Sequence, residues 1–368
     1  MANVILAAGG TGGHIFPALA VAEILSAAGH QVTLFTDRRG APMVEGKISY
    51  RLIESASPFN AGIAAKLAGL ARLGIGFVQS LGAMLWRRPK AVIGFGGYPS
   101  FAPIVSGRLL GAICVLHEQN AIMGRANRLL GKYAHHIALS FADTTGAPGA
   151  DKARLTGLPV RSAFAAIAPY RPKSTMKSDK ATWQITIIGG SLGAQIFADI
   201  IPAAIALLPQ HIRDQIHITQ QARDGHIAPL KQAYDALAIS FDVSRFYHDI
   251  PSLLAASDIL ISRAGASSVQ EIATAGRAAI LVPFAAAMDD HQTGNAMRLV
   301  TNGGGQMITE ADATPERLAS DLLALIEDSK TRQKMAQSAS ALAHENAALA
   351  IAQLTGLDLK TAHIGATQ

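Results

Sequence analysis

Twice in this chain an apolar run ends in a cluster of glycines and passes directly into a helical pattern. The first, NVILAAGGTGGHIFPALAVAE, begins at Asn3; the second, WQITIIGGSLGAQIFADIIPAAIALL, begins at Trp183. A short buried strand that turns on glycines into a helix is the first half of a βαβ unit, whose parallel strands need a crossover connection. Further runs of strand length follow each start, with helical patterns between most of them. They are QVTLFT (31–36), AVIGF (91–95) and AICVLH (112–117) in the first half, then DQIHIT (214–219), DILIS (258–262) and AAILVPF (278–284) in the second. Between the halves, around 153–182, LTGLPV gives way to the loop-like, basic PYRPKSTMKSDKAT, which reads as an interdomain region. The expected fold is therefore α/β, with two Rossmann-like doubly wound domains facing across a cleft and ligands at the carboxyl ends of the strands. The expected boundaries are 1–160 and 161–345.

Composition narrows the function classes. The chain has 368 residues, of which 49% are hydrophobic and 16% charged, enough for two cores. The formal net charge of +6 favours acidic partners. Aromatic content is only 5%, the basic residues are scattered and no recognition motif occurs, so no nucleic-acid partner is expected. The lone cysteine, Cys114, excludes an internal disulfide framework and fits a reducing compartment. NVILAAGG reads as a first strand rather than as a signal peptide, because no basic segment precedes it.

Glycine turns at strand ends let backbone N–H groups approach an anion, and the following helix adds its positive end. Three such clusters, GGTGG, GFGG and GGSLG, point to a phosphorylated ligand. Nucleoside-triphosphate hydrolysis is excluded by the lack of a G-x-x-x-x-G-K-[ST] loop. Dinucleotide binding is a competing reading. Asp37 ends the second strand where a ribose-binding acid would stand, and Arg38 and Arg39 could meet a 2′-phosphate. Against it, a G-x-G-x-x-G counted from Gly10 would require glycine where the chain has Ile15. In the second half, SRAGASSVQEIATAG (262–276) places Glu271 near a helix start, where a carboxylate can accept both hydroxyls of a ribose or be a solvated first-turn glutamate. Asp289, Asp290, His291 and Gln292 follow a later strand end. No D-x-D metal motif occurs; Glu310 and Asp312 come nearest, in a region that reads as a helix start. His135 and His136 have no carboxylate beside them in sequence and read as core or surface residues.

The segments GGTGGHIFPALAVAE, GFGGYPS, HEQNAIMGRANR, TGLPVR, GGSLGAQ, SRAGASSVQEIATAG and DDHQTGNA occur in this order across essentially the whole chain. Together they resemble the MurG family of bacterial peptidoglycan glycosyltransferases. The resemblance implies the glycosyltransferase B fold, with a C-terminal helix at about 346–368 returning to the first domain. The implied activity is inverting transfer of N-acetylglucosamine from its UDP donor to the lipid-linked muramyl-pentapeptide lipid I, giving lipid II. Other UDP-sugar enzymes of the same fold, such as an epimerase or a natural-product glycosyltransferase, are the alternative; an NADP-dependent oxidoreductase is a more distant one.

The same resemblance puts Ile250 against the uracil, Ala266, Ser267, Ser268, Val269, Gln270 and Glu271 around the ribose and phosphates, and Gln292 near the sugar hydroxyls. It places Thr11, Gly12, Gly13 and Asn120 close to the transferred sugar and the acceptor. Ser191 and Arg161 are expected to help backbone N–H groups stabilise the leaving diphosphate without a metal or cofactor. His14 is a candidate general base, since its ordinary pKa lies near working pH, or else a residue that shapes the helix start. Glu118 and Tyr98 are its rivals. The chain departs from the family pattern at Thr219, Ala222 and Gln270.

Residues 61–90 carry Ile63, Leu67, Leu70, Phe77, Leu81 and Leu85 at helical spacing, with Arg87, Arg88 and Lys90 closing the run. The uncharged stretch from Leu73 to Trp86 is about 14 residues, short of the roughly 20 that span a bilayer. This segment reads as a crossover helix with an apolar edge suited to anionic headgroups. It would seat the protein peripherally on the cytoplasmic face of the plasma membrane. Nothing in the sequence sets an oligomeric state.

Overall fold

The computed structural model describes residues 1–57, 62–172, 182–190, 193–344 and 346–359. It divides into two units, Met1–Arg161 with the segment from His344 onward, and Ser162–Ala343. Each unit is built on one parallel sheet.

The first sheet contains β1 (Asn3–Ala7), β2 (Gln31–Thr36), β3 (Tyr50–Leu52), β4 (Ala91–Gly94), β5 (Ile113–Glu118), β6 (His136–Leu139) and β7 (Ala153–Leu155). Their spatial order is β3-β2-β1-β4-β5-β6-β7. The central strands are covered on both faces and so are almost wholly apolar; all four residues of β4 are buried. One face packs on the helix Gly12–Ala27 through Ile15, Ala18, Val21 and Leu25. The other packs on the helix Phe101–Leu109 and on Met84. The C-terminal helix Ala347–Gln353 adds Ile351 and Ala352 to the first of these cores. It is shorter than the 346–368 expected: Thr355 and Gly356 follow in a turn, with Gly356 at φ +68°, and 360–368 lie outside the described residues.

The second sheet contains β8 (Trp183–Ile188), β9 (Ile216–Gln221), β10 (Ser240–Ser244), β11 (Ile259–Ser262), β12 (Ala278–Leu281) and β13 (Gln306–Met307), in the order β10-β9-β8-β11-β12-β13. Its core joins Ile185, Ile187, Ile218, Ile259 and Ile261 to Phe197, Ile201, Leu318 and Leu322 from flanking helices.

Residues 63–86 form one continuous helix, Ile63–Trp86. The helix runs through Lys66 and Arg72, so its 24 residues are long and apolar enough to cross a bilayer, and the shortness argued from the uncharged stretch does not hold. Its packing decides the matter differently. Gly69, Leu73, Gly76, Ser80 and Met84 form a buried small-residue face that docks on the helix Phe101–Leu109. At Gly76 a Cβ would lie 2.0 Å from the Glu54 carbonyl oxygen, so only glycine lets the helix pass this close to the segment after β3. The opposite face leaves Ile63, Leu67, Leu70, Ile75, Val78, Leu85 and Trp86 exposed, Trp86 to 88%.

Candidate functional site

In the first unit the strand order reverses between β1 and β4, whose following helices pack on opposite faces of the parallel sheet. A crevice at the strand ends follows from this topology. The turns leaving β1 and β4 touch there: a Cβ on Gly9 would lie 2.8 Å from Pro99 Cγ and 2.9 Å from Asp37 Oδ1. Asp37, buried at the end of β2, locks the turn. Its Oδ1 accepts the N–H groups of Gly10 (3.0 Å) and Gly40 (2.9 Å), while Oδ2 accepts Arg39 Nη2 at 3.1 Å. The acid that a dinucleotide would need for its ribose is therefore spent on shaping the glycine turn, and Arg39 is paired with it.

Thr11 is the N-cap of the helix Gly12–Ala27; it is exposed and its side chain makes no capping bond. Gly12 is buried and Gly13 half-buried in the first turn. His14, two residues after Gly12, lies against the β4 turn: a Cβ on Gly96 (φ +84°) would lie 3.2 Å from both His14 Cε1 and Gln119 Oε1. His14 Nδ1 is buried without a well-formed hydrogen bond. Burial lowers the His14 pKa, opposed by the charge of Glu118 and by the Phe95 carbonyl and Gln119 beside it. The net effect favours the neutral ring. Tyr98 is half-buried at the start of the same β4 turn.

Glu118 is placed differently from a base. It is 1% exposed. Its Oε1 accepts the Asn120 N–H (3.0 Å) and Nδ2 (3.3 Å), and its Oε2 accepts the Gly124 N–H (2.9 Å) and Asn127 Nδ2 (2.8 Å). Four donors occupy its lone pairs, so Glu118 clasps the loop that carries Asn120 and has no acceptor capacity left for a substrate hydroxyl. The neighbouring His117 is wholly buried with Nε2 3.2 Å from both the Gly157 carbonyl and Ser140 Oγ, and burial pushes its pKa down to about 3. Arg161 belongs to the first unit, its guanidinium 5.0 Å from the Phe16 ring centroid.

In the second unit the reversal falls between β8 and β11. Gly189 ends β8 in a turn so tight that a Cβ would lie 2.3 Å from the Ala194 nitrogen; Ser191 lies outside the described residues. Beyond β11 come Arg263, Ala264 and Gly265, then the helix Ala266–Ala275. The expected donor-binding run divides along this helix: Ser267, Ser268 and Glu271 are half-buried, whereas Ala266, Val269 and Gln270 are buried. Glu271 stands in the second turn of the helix and not at its start. Ile250 is half-buried and begins a short helix capped by Asp249. The departing residues Thr219 and Ala222 are buried in and just after β9.

Beyond β12, Asp289 and Asp290 both adopt φ above +50° before the helix His291–Thr301, a conformation that costs non-glycine residues energy. Gln292 points its Oε1 at the backbone, accepting the N–H groups of Ala264 (3.2 Å) and Phe284 (3.0 Å). Asn295 donates to the Ala264 carbonyl. Glu310 and Asp312 do not converge: Glu310 pairs with Arg263, and Asp312 accepts Thr309 Oγ1. Sequence reasoning missed Asp37 as a lock and Arg263 altogether, although a charge directly after a buried strand was a usable signal.

The glycosyltransferase family 28 N-terminal domain matches residues 4–139 and the family 28 C-terminal domain matches 184–354. A protein of Granulibacter bethesdensis, named UDP-N-acetylglucosamine–N-acetylmuramyl-(pentapeptide) pyrophosphoryl-undecaprenol N-acetylglucosamine transferase, is 41% identical over 98% of this chain and 94% of its own. The Rhodospirillum centenum protein of the same name is 39% identical over 96% and 93%. The crystal structure of Acinetobacter baumannii MurG superposes with a TM-score of 0.78 at 30% identity, covering 97% of this chain and 99% of that one. The chain belongs to glycosyltransferase family 28, and within it to the MurG family of N-acetylglucosamine transferases.

Proposed function

We propose that the chain transfers N-acetylglucosamine from UDP-N-acetylglucosamine to the muramyl 4-hydroxyl of lipid I, making lipid II for peptidoglycan. The observation that carries this reading is the 41% identity, over 98% of the chain, to a relative named for that reaction. In the proposed step the 4-hydroxyl attacks the anomeric carbon from the side opposite UDP, so the configuration inverts. The hydroxyl proton passes to His14, whose neutral form burial favours, and the C–O bond to the diphosphate breaks with its electron pair. Thr11, Gly12, Gly13 and Asn120 hold the acceptor side. In the second unit Ile250 lies against the uracil, and Glu271 accepts the ribose hydroxyls. The N-terminus of the helix Ala266–Ala275 faces the diphosphate, where its N–H groups and dipole favour negative charge. Diphosphate stabilisation through these N–H groups requires no metal.

Mixing the protein with UDP-N-acetylglucosamine and a lipid I analogue should release UDP only when both are present, at an unchanged rate in excess EDTA. Acceptor-independent UDP release would contradict the transfer, and loss of turnover restored by magnesium would contradict the metal-free step.

The lipid-linked acceptor also needs the enzyme at a bilayer, on the cytoplasmic leaflet where a nucleotide sugar is available. The exposed apolar face of the helix Ile63–Trp86, with Arg87, Arg88 and Lys90 behind it, supports a peripheral contact with anionic lipid. Trp86→Ser/Arg87→Glu/Arg88→Glu should lose flotation with anionic liposomes, and salt should weaken wild-type flotation. Equal flotation of both proteins would contradict this contact.

A further inference from the structure

Arg263 and Glu310 form a largely buried ion pair, with Arg263 Nη2 donating to Glu310 Oε1 at 2.5 Å and side-chain exposures of 10% and 22%. Arg263 is held over the rings of Phe197 and Phe284, at 5.5 and 5.2 Å from their centroids. Its Nη1 donates to the carbonyls of Val282 and Pro283, both at 3.1 Å. Glu310 Oε2 accepts the Ala285 N–H at 2.8 Å. The pair therefore grips the 282–285 segment at both ends, from the strand end of β11 and from the loop after β13.

That segment supplies the Phe284 N–H, and the strand end supplies the Ala264 N–H, that together hold Gln292 Oε1. Two backbone donors on the oxygen fix which way round the amide lies, a choice that would otherwise be open for a glutamine. The Gln292 amide nitrogen is left as the end with donor capacity, and it makes no hydrogen bond among the described residues. A donor so fixed reads an oxygen lone pair on a ligand, such as that of a sugar hydroxyl.

Resting on the proposed transfer reaction, we infer that Arg263 and Glu310 are a positioning pair that presents the Gln292 amide nitrogen as a donor to the transferred sugar. Neither charge touches the substrate; the pair acts through the 282–285 segment and Gln292. The contact it supports belongs to the sugar and not to the uridine diphosphate.

The test compares calorimetric affinities for UDP and for UDP-N-acetylglucosamine in the wild type, Glu310→Ala, Gln292→Met and the double variant. Glu310→Ala should weaken the sugar nucleotide roughly tenfold and leave UDP unchanged, since the displaced Gln292 amide loses its hydrogen bond to the sugar. The double variant should bind no more weakly than Gln292→Met alone, because both changes break one line of contact. Where Glu310→Ala does not fold, Glu310→Gln keeps one of the two contacts and should show the same selectivity at about a third of the loss in log affinity. Equal weakening of UDP and UDP-sugar, or additive effects in the double variant, would overturn the positioning role. Failure of the wild type to bind UDP-N-acetylglucosamine would instead overturn the transfer reading, and this inference with it.

Discussion

The two units place their glycine turns at the same topological position, yet stiffen them with different chemistry. In the first, two buried carboxylates do the work by accepting N–H groups: Asp37 holds the turn after β1, and Glu118 holds the loop after β5. What this frame leaves over is His14, half-buried with its Nδ1 buried and its pKa lowered by burial. In the second, an Arg263–Glu310 ion pair and the amides of Gln292 and Asn295 hold the strand ends. What that frame leaves over is an amide N–H. A leftover base can take a proton, and a leftover donor can only bind. On the proposed assignment, one topology serves proton transfer on one sheet and ligand reading on the other, according to which groups the loops consume.

The comparison breaks first at Glu118. Glu118→Ala removes the acceptor of four donors in a buried loop and should cost roughly 3–5 kcal/mol of stability, measured by urea unfolding. A loss below about 1 kcal/mol would show that the clasp is idle and would return Glu118 to candidacy as a base. Asp37→Asn should cost less, roughly 1–3 kcal/mol, because one oxygen remains to accept an N–H. Its signature should be weaker acceptor binding with donor affinity intact; loss of donor binding alone would contradict the assignment of Asp37 to the first-unit turn.

A further effect is a dependence of stability on pH. The His117 pKa lies at about 3 in the fold against an ordinary value of 6.5, so the unfolded chain takes up the proton first. Stability from this residue is complete above about pH 6.5 and is lost as pH falls toward 3, at up to about 1.4 kcal/mol per pH unit. His117→Gln, which can still donate to the Gly157 carbonyl, should flatten that slope between pH 6.5 and 4.5. An unchanged slope would mean that His117 charges freely in the folded protein.

Most interior strands were legible because burial on both faces writes them as apolar runs, as in AVIGF, which contains β4. The interior strand β6 (His136–Leu139) was missed, since His135 and His136 stand at its start. The edge strands β3, β7, β10 and β13 escaped notice: three are only two or three residues long, and all carry exposed or half-buried side chains such as Arg51, Leu155 and Asp242. DQIHIT located β9, which starts two residues later at Ile216. At the candidate site the glycine turns and His14 could be read from local pattern. The roles of Asp37 and Glu118 could not, because a carboxylate beside a strand end looks the same whether it faces a ligand or its own loop. Which it does depends on N–H groups supplied by Gly10, Gly40 and Gly124, and only the fold brings these together. Arg263 carries the local signal of a charge directly after a buried strand, but its partner Glu310 is 47 residues away and only the fold brings the two together.

The most direct measurement of the division between the units sets two variants side by side, each scored for UDP-N-acetylglucosamine affinity and for turnover at saturating donor. His14→Ala should lower turnover by roughly 10²–10⁴-fold, the usual range for a lost general base, and bind the donor as the wild type does. Glu271→Ala should weaken donor binding by roughly 1.5–3 kcal/mol while keeping most of its saturated turnover. A folded His14→Ala protein that turns over at the wild-type rate, or that loses the donor, would contradict the assignment of proton transfer to the first unit.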